Sequence, residues 1–424
     1  MLLRFLLVVA SLVLSLAISS DNRSTSCAGC WLAVSDAPTV EQSLGVNIHF
    51  IDPKPGEVKM IADAGFRWVR MDFVWEDTER QREQYDFSAY DRLLKQLDEY
   101  QIRALFILDY GNPLYTQGKS VRTPLAREAF ARWAVAAGKH FSGRGIIWEL
   151  FNEPNNRMFW PPVPNVEEYN ALAEIVGQAF HAELPNEQLI GPAMASTDLR
   201  FLQSCLSDRA HHYWSAISIH PYRQTNPETA GNDYARLREL LDQIGSTQSH
   251  LKIISSEWGY SSAWSRMNEE RQATTLTREF LTNLANGISL SIWYDWRDDG
   301  NDATEPEDHF GLVRYDYHAN GSPVYEPKPA FLAAKTLTTL LSGYRFEQRL
   351  SVGTQDDYVL TFRRAGERRV VAWTTGTPHR LTIPEAVEQY SIITMTGVDG
   401  GQVQSSHGVT IDVSTTPVYV IPTT

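Results

Sequence analysis

Two glutamates in this chain each follow a run of apolar residues. Glu153 comes after Ile146–Phe151, within Asn152-Glu153-Pro154, and Glu257 comes after Leu251–Ser255. An apolar strand that ends in a carboxylate can place an acid at the mouth of an α/β barrel. Two carboxyl groups at one mouth can hydrolyse a glycosidic bond, and in retaining enzymes they lie ~5–5.5 Å apart. We therefore predict that Glu153 is the acid/base and Glu257 the nucleophile. Asn152, just before the acid, is predicted to hold a sugar hydroxyl.

A barrel is also what the elements around these residues predict. Residues 44–343 alternate between short apolar runs and stretches with helical periodicity, such as Tyr90, Leu93, Leu94 and Leu97. Eight such units in a row indicate a (β/α)8 barrel. The alternative is a doubly wound open sheet, which requires a glycine-rich phosphate loop after its first strand. The first apolar run, Leu44–Phe50, is followed by Ile51-Asp52-Pro53-Lys54-Pro55, which is not such a loop. The other predicted strands are Phe66–Phe73, Ala104–Leu108, Ile146–Phe151, Leu189–Ala193, Ala216–His220, Leu251–Ser255 and Ile288–Trp293.

The residue pattern changes after about Tyr344, where no further helical periodicity follows. Short β-prone runs follow, separated by the turn signals Ala365-Gly366-Glu367 and Asp399-Gly400-Gly401. We predict a small all-β sandwich domain over residues 344–424. Its predicted strands are Tyr358–Arg364, Arg369–Trp373, Ser391–Thr394, Val409–Val413 and Val418–Ile421.

The composition narrows the function classes. The chain has 424 residues, 43% of them apolar, and a net charge of −13. This length suits one large barrel with a small companion domain. The negative charge disfavours nucleic acid as a partner, because phosphate binding requires clustered Lys and Arg. Polyanionic glycans are also disfavoured, unless a basic cleft is present. No metal or organic cofactor is expected, because two carboxyl groups suffice for the chemistry. A monomer is the default expectation.

The N-terminal residues predict export. Arg4 precedes an apolar run from Phe5 to Ile18, and small residues follow, as in a secretory signal peptide over residues 1–20. The alternative is an uncleaved membrane anchor, although the run is short for a full span. A secreted or periplasmic protein is expected in either case. Residues 21–43 form an extension whose Cys27 and Cys30 suggest a local disulfide; the pairing of these two with Cys205 stays open.

The chain resembles the clan A glycoside hydrolases over the whole predicted barrel. The resemblance rests on Asn152-Glu153-Pro154 after the fourth strand and Glu257 after the seventh. Within the clan it is similar to family 39 and its bacterial exopolysaccharide-cluster relatives, with family 5 as the second choice. The motifs that carry this similarity are Phe106–Pro113, Ser218–Arg223, Ser256–Tyr260 and Trp293–Trp296.

The resemblance implies roles for further residues. It implies that Arg70, at the end of the second strand, neighbours the nucleophile and keeps it ionised. It implies that His220 and Tyr222 contact the sugar and hydrogen-bond the two carboxylates, and it places Asp109 among the sugar contacts. It also implies a tryptophan beneath the sugar, either Trp293 or Trp296.

Aromatic residues near the catalytic strands are candidate sugar platforms. Trp293 shares strand parity with Ser289 and Ser291, which predicts that it faces the barrel interior. The tryptophans expected in or beside the loops are Trp160, Trp258, Trp264 and Trp296, with burial in the core as the alternative for each. The acidic stretch Asp298–Asp308 is expected to be a solvated loop, with recognition of an amino sugar or calcium as the alternative.

Three functions remain open at this stage. The first is a retaining glycosidase that cuts inside a β-linked polysaccharide, such as an exopolysaccharide. The second is an exo-acting β-glycosidase similar to a β-xylosidase. The third is a catalytically silent barrel that only binds glycans. The presence of both glutamates and of the Asn152 donor favours an enzyme.

Overall fold

The computed structural model describes residues 38–208, 210–244, 251–384, 389–404 and 408–423. The expected secretory segment, Cys27 and Cys30 lie outside these residues. Cys205 is buried and free. No helix within the described ranges is long and apolar enough to cross a membrane.

Eight parallel strands close into a barrel in chain order, and β1 pairs with β8. The predicted (β/α)8 barrel is therefore confirmed, and the open sheet is excluded. The strands are β1 (Leu44–Asn47), β2 (Trp68–Val74), β3 (Arg103–Asp109), β4 (Ile147–Leu150), β5 (Gln188–Ala195), β6 (Ala216–His220), β7 (Lys252–Trp258) and β8 (Leu290–Trp293).

Helices cover the outside of the barrel. In α3 the predicted stripe of Tyr90, Leu93, Leu94 and Leu97 is buried, as its spacing requires. Side-chain caps begin three of the longer helices, because Thr123, Asn165 and Asn268 each accept a bond from a first-turn N–H group. The helices are α1 (Glu57–Asp63), α2 (Trp75–Thr78), α3 (Ser88–Glu99), α4 (Pro124–His140), α5 (Val166–Glu183), α6 (Leu199–Ser207), α7 (Ala230–Ile244), α8 (Glu269–Ala285) and α9 (Pro329–Leu340).

Strand alternation separates two apolar cores. One set of strand positions points into the barrel and packs there as a compact cluster of mainly branched side chains. The alternate positions face the helices and join the larger outer core. The interior cluster consists of Trp68, Leu105, Ile107, Ile147, Ile190, Ala216, Ile254, Leu290 and Ile292.

The segment after β8 is more structured than a simple loop. A two-stranded hairpin, β9 (Val313–Tyr317) and β10 (Tyr325–Pro327), comes before α9. Asp298, expected in a solvated loop, is buried and pairs with the buried Lys328 at 2.8 Å. That part of the expectation is wrong, because the hairpin and α9 cover this end of the acidic stretch.

The C-terminal residues form two antiparallel sheets that share an apolar core. The five predicted runs correspond to β12 (Asp357–Arg364), β13 (Glu367–Thr374), β15 (Gln389–Thr394), β17 (Val409–Val413) and β18 (Val418–Pro422). Three more strands lie among them, namely β11 (Arg345–Arg349), β14 (His379–Ile383) and β16 (Asp399–Gln404). The predicted turn at Asp399–Gly401 is therefore wrong. The chain turns earlier, where Gly397 has a φ of 86°.

Candidate active site

Glu153 reaches the barrel mouth through an unusual backbone path after β4. Phe151 and Glu153 both have left-handed φ values, 68° and 43°. Such values are costly for residues with a Cβ and persist where surrounding contacts hold them. Here the Glu153 N–H donates to the carbonyl oxygen of Ala193 on β5 at 2.9 Å. The strand end is thus tied to its neighbour, and the Glu153 carboxyl group is fixed.

Glu257 lies near the end of β7, where the pairing with β8 shifts between Ser255 and Trp258. The shift lets Glu257 face the site while the next side chain, Trp258, packs outward into the core. One carboxylate oxygen of Glu153 and one of Glu257 lie within 4.8 Å of each other. Both side chains keep some contact with solvent. The structure therefore brings the two predicted catalytic residues together at an open mouth.

Arg70, inside the barrel, donates hydrogen bonds to the nucleophile candidate Glu257 and to a second glutamate. Its Nη1 donates to Glu257 Oε2 at 2.5 Å, and its Nε donates to Glu149 Oε2 at 2.8 Å. The contact with Glu257 is the one that the resemblance implied. The expected position at a strand end is wrong, because β2 continues to Val74 and Arg70 lies inside the barrel. Arg70 is only 1% exposed, so it acts through the carboxylates rather than on the sugar.

The same guanidinium binds three more side chains. Its Nη2 donates to Asn152 Oδ1 at 2.8 Å and lies 3.3 Å from His220 Nε2. Its Nη1 lies 3.3 Å from Asn47 Oδ1. A guanidinium offers five donors in a fixed fork, so one residue can orient parts of several strands. Asn152 is placed beside the acid with its oxygen occupied by Arg70.

The partners of His220 assign its tautomer. Arg70 can only donate, so His220 Nε2 must accept and is unprotonated. The proton is therefore on Nδ1, which donates to Glu153 Oε1 at 3.0 Å. His220 is fully buried, so the expected sugar contact is wrong. The histidine instead connects the arginine to the acid.

The pKa of Glu153 is lowered, whereas a general acid is expected to have a raised pKa. Burial raises this pKa, but the hydrogen bonds from His220 and Asn156 and the charge of Arg70 lower it more, so the net direction is down. Asn156 Nδ2 donates to Glu153 Oε2 at 2.7 Å. The carboxylate form is therefore well solvated by fixed donors when the site is empty.

Tyr222 completes the set around the nucleophile candidate. Its hydroxyl donates to Glu257 Oε1 at 3.0 Å, while Arg70 binds the other oxygen. The Tyr222 ring is half-buried and borders the mouth. Among the predicted contacts, Tyr222 is thus placed to touch both the nucleophile and a sugar.

Asp109 is not open to substrate. Its side chain is fully buried at the end of β3. Burial and the neighbouring Asp72 carboxylate raise the pKa of Asp109 well above its usual range. A neutral acid can share a proton with Asp72, which removes the repulsion between them. The implied sugar contact is therefore wrong, and Asp109 belongs to the polar layer beneath the mouth.

Four of the tryptophans that were candidate sugar platforms are buried in the core. Trp160 packs on Phe151 and Tyr169, and its Nε1 donates to Glu168. For Trp160, Trp258 and Trp296 the alternative of burial in the core is therefore the one observed, and the sugar contact implied for Trp293 is wrong. Trp160, Trp258 and Trp293 are 0% exposed, and Trp296 is 1% exposed.

The parity argument for Trp293 fails for a definite reason. Leu290 and Ile292 belong to the cluster inside the barrel, so Trp293 points to the helices. Its ring stacks on Tyr260. Trp296 packs beside Phe331 in the same outer core.

Tyr294, the residue after β8, occupies the rim position expected of a tryptophan. It is half-buried, and its ring lies 6.4 Å from that of Tyr222 and 5.3 Å from that of His49. Tyr110, directly after β3, stacks on Phe159, in the loop after β4, at 5.8 Å. Partly exposed aromatic rings therefore follow β3 and β4 on one part of the barrel and β6 and β8 on another.

Several residues of this site were missed from the sequence. Glu149 was readable as a candidate, because a charged residue inside an apolar strand is costly to bury unless it has a partner. Asn156 and Tyr294 lie in loops and carry no comparable signal. His49 follows β1 within the first apolar run. Burial lowers its pKa, but Asp299, Asp295 and Asp72 raise it to about 9.

Comparison with protein families agrees with this geometry. The family model "Cellulase (glycosyl hydrolase family 5)" matches residues 35–300, more than half of the chain. The chain belongs to this family and is a glycoside hydrolase. This confirms the predicted clan A glycosidase, whose substrate is a carbohydrate. Among proteins of curated function, none matches the sequence.

Solved structures share the whole architecture. A family 39 glycoside hydrolase from Bacteroides cellulosilyticus WH2 is 24% identical with a TM-score of 0.77, over 92% of this chain and 83% of that one. A family 39 β-xylosidase from Caulobacter crescentus is 15% identical with a TM-score of 0.67, over 92% and 98%. A family 30 endoxylanase from Clostridium papyrosolvens C71 is 12% identical with a TM-score of 0.66, over 91% and 96%. At these identities the likeness establishes the fold.

Proposed function

We propose that this glycoside hydrolase acts with retention of anomeric configuration. The observation that carries the proposal is the short distance between the two carboxylates, with oxygens within 4.8 Å. An inverting enzyme needs room for a water molecule between substrate and base, and its carboxyl groups lie ~6.5–9.5 Å apart. The distance between Glu153 and Glu257 suits direct attack on the anomeric carbon instead.

The hydrogen-bond partners of Glu257 and Glu153 assign a different role to each residue. Arg70 and Tyr222 bind both oxygens of Glu257 and stabilise its charged form, as a nucleophile requires. Glu153 protonates the leaving oxygen while Glu257 forms a covalent glycosyl ester. Glu153 then takes a proton from water, which attacks the ester and frees Glu257.

The acid step requires Glu153 to hold a proton at the start. Its lowered pKa implies that this protonated fraction shrinks as the pH approaches neutrality. An acidic pH optimum follows. After glycosyl transfer the carboxylate form of Glu153 is the active one, and the donors His220 and Asn156 favour that form.

We further propose internal cutting of a β-linked polysaccharide. Support comes from the aromatic rings on two parts of the barrel, Tyr110 with Phe159 after β3 and β4 and Tyr222 with Tyr294 after β6 and β8. Apolar ring faces in two places allow sugar units to be held before and after the cleaved bond. The family is described by the name cellulase, and structural neighbours include a β-xylosidase and an endoxylanase. These names favour β-linked glucose- or xylose-type backbones, and the apolar run at residues 5–18 favours export.

The early products of purified protein on β-linked polysaccharides test this proposal. We expect a ladder of oligosaccharides by mass spectrometry, with the anomer first released matching that of the substrate by NMR. Glu257→Ala should abolish the ladder, while Glu270→Ala, a change of an exposed glutamate on α8, should not. A single monosaccharide at early times would establish exo action, and the opposite anomer would exclude retention. If wild type and Glu257→Ala bind glycans equally and neither cuts any, the protein is a binding barrel.

A further inference from the structure

A second cluster of potential ligands lies on the rim beside the carboxylate pair. It comprises His49, which follows β1, and Asp295 and Asp299, which follow β8. His49 Nδ1 lies 3.2 Å from Asp299 Oδ1 and 3.5 Å from Asp295 Oδ2. One ligand atom from each of the three residues lies within 4.8 Å of the others. The cluster contacts Tyr294 through the His49 ring and shares no residue with the catalytic set.

The buried carboxylate of this cluster, that of Asp295, has one oxygen without a hydrogen-bond partner in the described part of the chain. Asp295 is only 2% exposed, and its Oδ1 is buried without a hydrogen-bond partner among the described residues. A buried carboxylate oxygen without a partner is costly, and most such groups in native proteins bind a donor, water or ion. His49 contacts Asp295 at Oδ2, the other oxygen of the same carboxylate. Asp295 Oδ1 is therefore available to a further ligand of this carboxylate.

The two distances from His49 are compatible with a tetrahedral metal ion. Zinc binds His nitrogen at ~2.0–2.1 Å and carboxylate oxygen at ~2.0–2.2 Å. In a tetrahedron, bonds of that length place the ligand atoms ~3.3–3.5 Å apart. The two distances from His49 Nδ1, 3.2 and 3.5 Å, lie close to this range.

The chemistry of the ligands also selects the ion. Calcium requires six to eight oxygen ligands, and magnesium retains most of its water. An imidazole nitrogen with two carboxylates suits zinc and other first-row divalent ions. A doubly charged ion compensates these carboxylates better than the single charge of a protonated His49.

We propose that His49, Asp295 and Asp299 bind a first-row divalent metal ion, with zinc as the best fit, at the rim of the substrate cleft. The site is open, because the side chains of His49 and Asp299 are 32% and 35% exposed. A fourth coordination position is therefore open to solvent, where it takes water or a hydroxyl group of a bound sugar.

The catalytic carboxylates do not compete for this assignment. Glu153, His220 and Glu257 also bring ligand atoms within 4.8 Å of one another. Their atoms, however, already have partners. Arg70 and Tyr222 bind Glu257, Arg70 also binds His220, and His220 and Asn156 bind Glu153. In the rim cluster the positive charge beside the two carboxylates is that of His49 itself, which releases its proton when its nitrogen binds a metal ion.

Titration calorimetry with zinc chloride tests the proposal on metal-free full-length protein. Cys27 and Cys30 are changed to serine so that their thiols do not bind the metal. We expect one binding event that weakens at least about tenfold in His49→Ala and in Asp299→Asn, each removing one of three ligands. Asp302→Asn, in the same acidic loop but outside the cluster, should bind as wild type does. Glu153→Gln should also retain binding, which separates this site from the catalytic pair.

Cobalt(II) provides a readout that does not depend on hydrolysis. Tetrahedral cobalt bound at this site should give visible absorption that is lost in Asp299→Asn. Because Asp299 is largely exposed, this variant should fold normally, which circular dichroism can check. The proposal is overturned if no zinc binds, if both rim variants bind as wild type does, or if binding is lost in Glu153→Gln.

Discussion

Replacing Asn156 by alanine removes one donor from the carboxylate of Glu153. Asn156 Nδ2 donates to Glu153 Oε2 at 2.7 Å, and this bond favours the ionised form of the acid. Without it the pKa of Glu153 rises, so the protonated acid persists to higher pH. The basic limb of the pH profile of kcat/KM, which reports the free enzyme, should therefore move to higher pH.

The size of the shift follows from the environment of the bond. A hydrogen bond to a charged group contributes about 1.5–3 kcal/mol. Asn156 is half-buried, so water replaces part of its contribution in the variant. A loss near the lower end of that range corresponds to about 1 pH unit, since 1.36 kcal/mol equals one unit. We expect a shift of about 0.5–1 unit.

Two further variants separate this effect from loop disruption. Asn156 Oδ1 also accepts from the N–H of Met158 at 3.0 Å. Asn156→Asp keeps that acceptor but places a negative charge beside Glu153, so the shift should be larger. Asn155→Ala is the matched control, because Asn155 binds the backbone of Ala195 and not Glu153. If the limb stays fixed in both Asn156 variants, or moves equally in Asn155→Ala, Glu153 is not the acid that controls this limb.

Other changes probe the remaining contacts. Glu153→Gln should lower kcat about 10²- to 10⁴-fold on polysaccharide, and less on an aryl glycoside whose leaving group needs no proton; equal losses would argue against the acid role. Arg70→Met should reduce the free energy of unfolding by about 3–5 kcal/mol, because it leaves buried carboxylates unpaired; urea titration measures this, and Arg70→Lys should recover part of it. Trp258→Phe should leave KM unchanged but cost about 0.5–3 kcal/mol of stability, whereas a large rise in KM would restore it as a sugar contact. Tyr294→Ala should raise KM roughly 2- to 10-fold if the ring contributes about 0.5–1.5 kcal/mol of stacking; an unchanged KM would remove Tyr294 from the subsite.

The parts of this protein that could be predicted are those that a local residue pattern specifies. Apolar runs and the stripe on α3 follow from burial on one face of each element, so the barrel could be read from the sequence. Glu153 and Glu257 stood out because a carboxylate directly after a buried run is expensive unless it is used. Glu149 lies inside such a run, and the cost of burying its charge would have singled it out in the same way.

The errors arose where strand register decides the direction of a side chain. Trp293 was oriented by assuming that the serines of β8 face the barrel, but Leu290 and Ile292 fill it. A shift of one residue reverses every side chain of a strand. The register of β8 is set by its pairing with β1 and β7, which are distant in sequence, so no local pattern could decide it.

The sequence by itself determined the barrel, the all-β companion and the two strand-end glutamates, because hydrophobic periodicity and the cost of burying a charge act over a few residues. The family resemblance implied that Arg70, His220 and Tyr222 contact these glutamates. Only the tertiary structure decided which atoms they bind, that Asn156 joins them and that the tryptophans do not. Those contacts join separate strands and loops around a closed ring. Their distances depend on stagger, on the bulge in β7 and on the left-handed backbone at Glu153, which arise only when the whole barrel closes.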